Sequence, residues 1–140
     1  MPYLTICCHL TQPWRATQMV KFKPLDPEFP IERQMGVDAG PVVLVNLFTI
    51  DHADQGALIE AWKADALYMK QQPGYISTQL HKAVGDSCMY LNYAVWDSIA
   101  DFRAAFQKPE FQNALGHYPS SAVTAPHLFE KIAVANLCAA

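Results

Sequence analysis

The sequence predicts an α+β fold of the ferredoxin-like kind, β-α-β-β-α-β, with a four-stranded antiparallel sheet and helices on one face. Three observations predict it. Four short runs rich in β-branched and aromatic residues begin near Pro41, Tyr75, Cys88 and Leu128. Two segments between them repeat apolar residues at helical spacing. Only a Gly85-Asp86 turn separates the second and third runs, which makes them a hairpin.

Residues 1–40 carry Pro13, Pro24, Pro27 and Pro30 and no sustained period. Proline fixes φ and removes a donor, so this part reads as an extended N-terminal arm. Its apolar residues Trp14, Phe22, Phe29 and Ile31 are available to pack over the body or over a partner subunit. The body, residues 41–140, starts with a strand over about 41–50. Asp51 to Asp54 then supply N-cap candidates. Ile59, Trp62, Ala66 and Met69 form the apolar stripe of a helix reaching about Gln72, and Pro73-Gly74 ends it. Tyr75–Val84 and Cys88–Val95 are the hairpin strands. Ser98 with Asp101 resembles a capping box with Asp in place of Glu, and Ile99, Phe102 and Phe106 line the second helix. Pro109 starts a short helical turn through His117, Pro119-Ser120-Ser121 is loop, and Leu128–Ala135 is the fourth strand.

In this topology the first and third strands are neighbours. The sheet face away from the helices is apolar, with Val43, Val45 and Leu47 on one strand and Leu91, Tyr93 and Val95 on the other. Two such sheets packed face to face in a homodimer would bury it. Hydrophobic residues make up 51% and charged residues 16%, which favours a globular chain that covers surface by self-association.

A net charge of −3 without a Lys/Arg cluster argues against a nucleic-acid partner. No apolar stretch approaches the roughly 20 residues that span a bilayer, so no membrane partner is expected. The N-terminus lacks a basic region ahead of an apolar one, and Cys7, Cys8, Cys88 and Cys138 match no zinc spacing. Reduced thiols in a cytoplasmic protein are the expectation.

The chemistry-bearing residues are few. Asn46 interrupts the apolar run Pro41–Ile50, and Asn92 and Trp96 share one face of Tyr90–Trp96. A carboxamide on an apolar strand face needs an answering group from backbone, water or ligand. With the two strands adjacent, both amides and the indole N–H would line one pocket without an acid, a base or a metal. Equally, either amide could tie down a strand end, and Trp96 could be core. His117 at the end of the short helix could be a general base, or a surface histidine favoured by the helix dipole. His81 and His127 read as surface or interface residues; His52 lies in a capping loop and His9 in the arm. Tyr118, Phe48, Trp62 and Phe106 are candidates for contact with a substrate.

Val45-Asn46 on the first strand, Gln72-Pro73-Gly74-Tyr75, Asn92–Ser98 and Pro109-Glu110-Phe111 together resemble the antibiotic-biosynthesis monooxygenase family over about residues 41–135. The resemblance implies a dimeric α+β barrel. Asn46, Asn92 and Trp96 match the pocket set of its cofactor-free anthrone oxygenases. It therefore implies a small aromatic substrate and O2, no cofactor, and oxidation of a polyphenol or anthrone to a quinone. A heme-degrading branch of the same superfamily is the alternative. Its first-strand asparagine fits Asn46, but its axial histidine and its tryptophan fall on Leu115 and Ala105, with His117 two residues away. A non-catalytic small-molecule-binding protein is the other alternative.

Overall fold

The computed structural model describes residues 20–140. The expectations for Cys7, Cys8, His9, Pro13 and Trp14 lie outside the described residues. Five strands make one sheet: β1 (Lys21–Phe22), β2 (Val42–Thr49), β3 (Tyr75–Lys82), β4 (Met89–Trp96) and β5 (Val123–Phe129), in the order β1-β5-β2-β4-β3. The helices are α1 (Ile31–Gln34), α2 (Gln55–Met69), α3 (Ile99–Gln107) and α4 (Pro109–Ala114), and α4 runs into a 3-10 turn, Leu115–His117.

The ferredoxin-like core is β2-α2-β3-β4-α3-β5. The expected neighbours β2 and β4 pair antiparallel over their whole length, from Val42 opposite Trp96 to Thr49 opposite Met89. The sheet has five strands rather than four. β1 comes from the segment expected to be an extended arm, and it runs parallel to β5 at Lys21–Val123 and Phe22–Thr124. Val20, Ile31 and Met35 from the same segment are buried. Gln34, 4% exposed, fastens it: its Oε1 accepts from the Leu128 N–H and its Nε2 donates to the Phe29 carbonyl.

The last strand lies at Val123–Phe129, upstream of the expected 128–135. Pro126 lies inside this strand, and a proline in mid-sheet normally forfeits a ladder bond. Here it forfeits none. The Ala122 and Thr124 carbonyls face β1 and the Leu128 N–H faces Gln34, so position 126 points to that same edge, beyond the end of β1. After Phe129 the chain leaves the sheet, and Ile132 and Leu137 are exposed.

Helix α3 begins as its sequence suggests. Ser98 Oγ accepts from the Asp101 N–H and donates to Asp101 Oδ2. Gly74, which links α2 to β3, has φ +83, and a Cβ there would sit 2.3 Å from the Asp101 carboxylate. Only glycine fits that approach.

The buried stripe of α2 is Leu58, Ala61 and Asp65, with Trp62, Ala66 and Met69 beside it; Ile59, expected inside, is exposed. This rotates the expected face by about one residue and turns Asp65 inward. The core forms two clusters, one around Phe48, Leu58, Tyr90, Phe111 and Tyr118, the other around Leu44, Ala94, Trp96, Ile99 and Phe102. Along β2, Asn46 falls between Leu44 and Phe48; along β4, Asn92 falls between Tyr90 and Ala94. The asparagines therefore mark the seam between the clusters, and the seam is open.

Candidate active site

An apolar cavity occupies that seam, with about 700 Å³ of empty space counted out to its mouth. Its floor is the sheet, including Asn46, Phe48, Asn92 and Trp96. Its roof is helical, with Trp62 and Asp65 of α2, Phe102 and Phe106 of α3, and Phe111 of α4. Tyr118 follows the 3-10 turn into the cavity, and Val20 and Phe22 close one side. The Phe22 ring meets Phe106 edge-on at 6.4 Å between centroids.

Asn46 and Asn92 stand directly opposite each other on β2 and β4. Each amide is oriented by a threonine on the next strand outward. Thr124 Oγ1 of β5 donates to Asn46 Oδ1 at 2.5 Å, and Thr78 Oγ1 of β3 donates to Asn92 Oδ1 at 2.6 Å. The result is a polar strip, Thr124–Asn46–Asn92–Thr78, across an otherwise apolar sheet face. A hydroxyl that donates to each amide oxygen leaves the two NH2 groups as the free ends, and those groups can only donate. Trp96 is 1% exposed and packs edge-on against Tyr75 at 5.7 Å and against Phe102 at 5.8 Å. Its ring therefore has both a core role and a place in the lining.

The remaining expected contacts, Phe48, Trp62, Phe106 and Tyr118, also border the cavity. Phe48 and Tyr118 stack nearly parallel, 5.8 Å between centroids and 10° between planes. His117 does not border it. The 3-10 turn directs Leu115 and Tyr118 inward and leaves His117 exposed, so it is not placed to act as the pocket's base. His52 and His81 are exposed as well. His127 is half-buried, and its Nδ1 lies 3.0 Å from Gln34 Nε2.

Nothing in the sequence reading prepared for a carboxylate in this cavity. Asp65 is 7% exposed and borders it. Tyr118 Oη donates to Asp65 Oδ2 at 2.5 Å, while Oδ1 is buried without a hydrogen-bond partner among the described residues. Burial pushes the Asp65 carboxyl up to about 6, against a smaller lowering by the Tyr118 hydrogen bond. Tyr118 is pushed well above the ordinary phenol value, first by burial and then by the Asp65 charge and its hydrogen bond. The signal was available: Asp65 lies seven residues after Leu58 and four after Ala61, in the middle of the buried stripe. Among the described residues, no three His, Cys, Asp or Glu side chains cluster closely enough to hold a metal ion. Cys88 and Cys138 are free thiols. No described helix is long and apolar enough to cross a membrane.

Comparison with known proteins gives this site a setting. The family model for antibiotic biosynthesis monooxygenase matches residues 41–116. A deoxynogalonate monooxygenase of Streptomyces nogalater is 33% identical over 76 residues, which is 54% of this chain and 64% of that protein. The chain thus matches a little under two thirds of that relative's length. Among solved structures, SnoaB, a cofactor-independent oxygenase from Streptomyces nogalater, shares the fold with a TM-score of 0.63 at 24% identity, over 70% of this chain and 99% of that one. A candidate monooxygenase from Shewanella loihica PV-4 is 39% identical with a TM-score of 0.58, over 71% of this chain and all of the other. The family match runs from the start of β2 into the 3-10 turn, and it takes in both asparagines, Trp96 and most of the cavity roof. The chain belongs to the antibiotic biosynthesis monooxygenase family.

Proposed function

We propose that this protein is a cofactor-independent monooxygenase that oxidises an anthrone-like aromatic polyphenol to the quinone with O2. One observation carries the reading: two amides face each other across β2 and β4, their oxygens engaged by Thr124 and Thr78, in a cavity lined by aromatic rings. The family and its relatives support it.

Ground-state O2 is a triplet and reacts slowly with closed-shell molecules. Loss of a proton converts an anthrone to an electron-rich enolate, which can give one electron to O2. The radical and superoxide recombine to form a C–O bond, and the resulting peroxide anion takes up a proton. When the O–O bond breaks, its electron pair leaves with hydroxide while the remaining C–H proton departs, which yields the quinone and water. The carbon loses four electrons; one oxygen atom ends in the quinone and the other in water. In this scheme the chain's task is to exclude water, orient the rings and stabilise charge on the enolate oxygen. Fixed N–H donors in a dry pocket do this without reorganising during the reaction. Asn46 and Asn92 supply such donors from the sheet, and Trp96 supplies an indole N–H.

The test is O2 uptake by chelator-treated protein presented with a panel of anthrones and hydroquinones. One quinone formed per O2 consumed is the expected result. Activity that appears only after heme is added would replace the reading with the heme-dependent one, and tight binding without O2 uptake would leave a binding protein.

The proposal includes a homodimer. On the sheet face away from the helices, Val45, Leu47, Leu91 and Val95 are half-buried in the single chain, and Tyr93 is 39% and Phe129 47% exposed. A second copy packed on this face would bury them. Sedimentation velocity at micromolar concentration should give a single dimeric species. A monomer that persists at tens of micromolar would refute this part.

A further inference from the structure

On the helical side of the same cavity, we infer that Asp65 is the proton acceptor: its unpartnered Oδ1 takes the proton whose loss turns the bound anthrone-class substrate into its enolate. This rests on the proposed function, which leaves the removal of that proton unassigned. Burial, position and hydrogen bonding together point to Asp65 as the base. It is more than nine-tenths buried, borders the cavity, and has one carboxylate oxygen committed and one uncommitted. Tyr118 holds Oδ2, so Oδ1 is the carboxylate oxygen that remains without a hydrogen bond.

The position also complements the amides. Asp65 comes from α2 in the roof, while Asn46 and Asn92 rise from the floor, so a flat ring system between them meets an acceptor on one side and donors on the other. In the step itself, the C–H or O–H electron pair stays on the substrate and becomes the enolate, and the proton forms a carboxylic acid at Asp65. That acid later returns the proton to the peroxide anion. Asp65 then takes the last C–H proton as the O–O bond breaks and passes it to the departing hydroxide, so the carboxylate is regenerated.

Among the described residues, the other titratable groups that line the cavity are tyrosines. Tyr118 follows the 3-10 turn and Tyr75 faces the cavity from β3, while Tyr68, not itself a lining residue, lies one turn further along α2. Tyr75 and Tyr68 are raised by burial, and Tyr68 further by Glu110 of α4. No lysine, arginine or histidine is among the described lining residues. Asp65, raised to about 6, is therefore the one lining group that is ionised at neutral pH and titrates below it.

The experiment separates proton removal from reaction with O2. Wild type, Asp65→Asn and Tyr118→Phe are mixed anaerobically with 1,8-dihydroxyanthrone, and the red-shifted absorption of the bound enolate is followed from pH 4.5 to 9. Quenching of tryptophan fluorescence reports binding. Wild type should form the enolate with an acid limb near 6. Asp65→Asn should bind the probe within a few-fold of wild type but form the enolate at least about a hundredfold more slowly at pH 7.5, the lower range for loss of a general base. Tyr118→Phe should move the acid limb of enolate formation to higher pH, whatever its effect on the rate, because the hydrogen bond that lowers Asp65 is gone. An undiminished enolate rate in Asp65→Asn, loss of probe binding in that variant, or an unmoved limb in Tyr118→Phe would each overturn the assignment. If both variants behave as expected and the wild type forms the enolate but does not consume O2 when air is admitted, Asp65 stands as the base and the proposed function is refuted.

Discussion

Replacing Asn92 by alanine is expected to lower kcat for an anthrone-class substrate by about a hundred- to a thousandfold, or roughly 3 kcal/mol of transition-state stabilisation, as for loss of one oxyanion donor. Asn46→Ala should cost a similar amount. If both NH2 groups serve the same oxygen, the double variant should lose less than the product of the single losses, because residues that act as a unit are not additive. Thr78→Val offers a finer probe. It leaves Asn92 in place but frees its Oδ1 to rotate, so activity should fall by about tenfold with little change in KM. Trp96→Phe keeps an aromatic ring between Tyr75 and Phe102 and removes only the N–H, which distinguishes donor from filler. Full activity in Asn46→Ala/Asn92→Ala, measured by quinone formation, would remove the amides from the chemistry. A loss explained entirely by unfolding, measured by circular dichroism, would make them structural.

Asp65→Asn is expected to make the protein more stable above pH 6 and no more stable at pH 4. The carboxyl has an ordinary value of 3.8 and is raised to about 6 in the folded chain. Folding therefore disfavours its ionised form. The cost is absent below about 4, grows between about 4 and 6, and is complete above 6, so stability falls as pH rises through that window. Two units correspond to about 3 kcal/mol, an upper bound for the gain at pH 7.5. Asparagine keeps an acceptor for the Tyr118 hydroxyl, so the bond between the two positions survives. Urea denaturation of both proteins at pH 4 and 7.5 measures the effect. An equal gain at both pH values would show that the carboxylate charge is not its source. A buried charge retained at this cost is the pattern of a site where function opposes stability.

How much of this was legible in the sequence varies by residue. The opposition of Asn46 and Asn92 could be read from topology: the split β-α-β order makes their strands neighbours, and the period of two places both amides on the helix-facing side. The Ser98–Asp101 cap needed only local spacing. The start of the last strand at Val123 was not legible, because a strand through Pro126 is acceptable only where β1 has stopped, a fact about another strand. Residues 20–35 carried no period because they bind through single contacts, such as Gln34 at the β5 edge, rather than through a repeating face.

Asp65 and the threonines show the same division at the site. Which residues are polar in an apolar stripe is a property of the sequence, since periodicity of 2 or 3.6 sets the face on which each side chain lies. By itself the sequence determined the strand and helix order of the β2-α2-β3-β4-α3-β5 core, the shared face of Asn46 and Asn92, and the family resemblance. Tertiary structure alone decided that Thr124 and Thr78 take the amide oxygens, that Tyr118 engages one oxygen of Asp65 and leaves the other free, and that His117 faces outward. Those outcomes depend on side chains from segments 14 to 78 residues apart meeting within hydrogen-bond distance, and no local rule of chain geometry encodes such meetings.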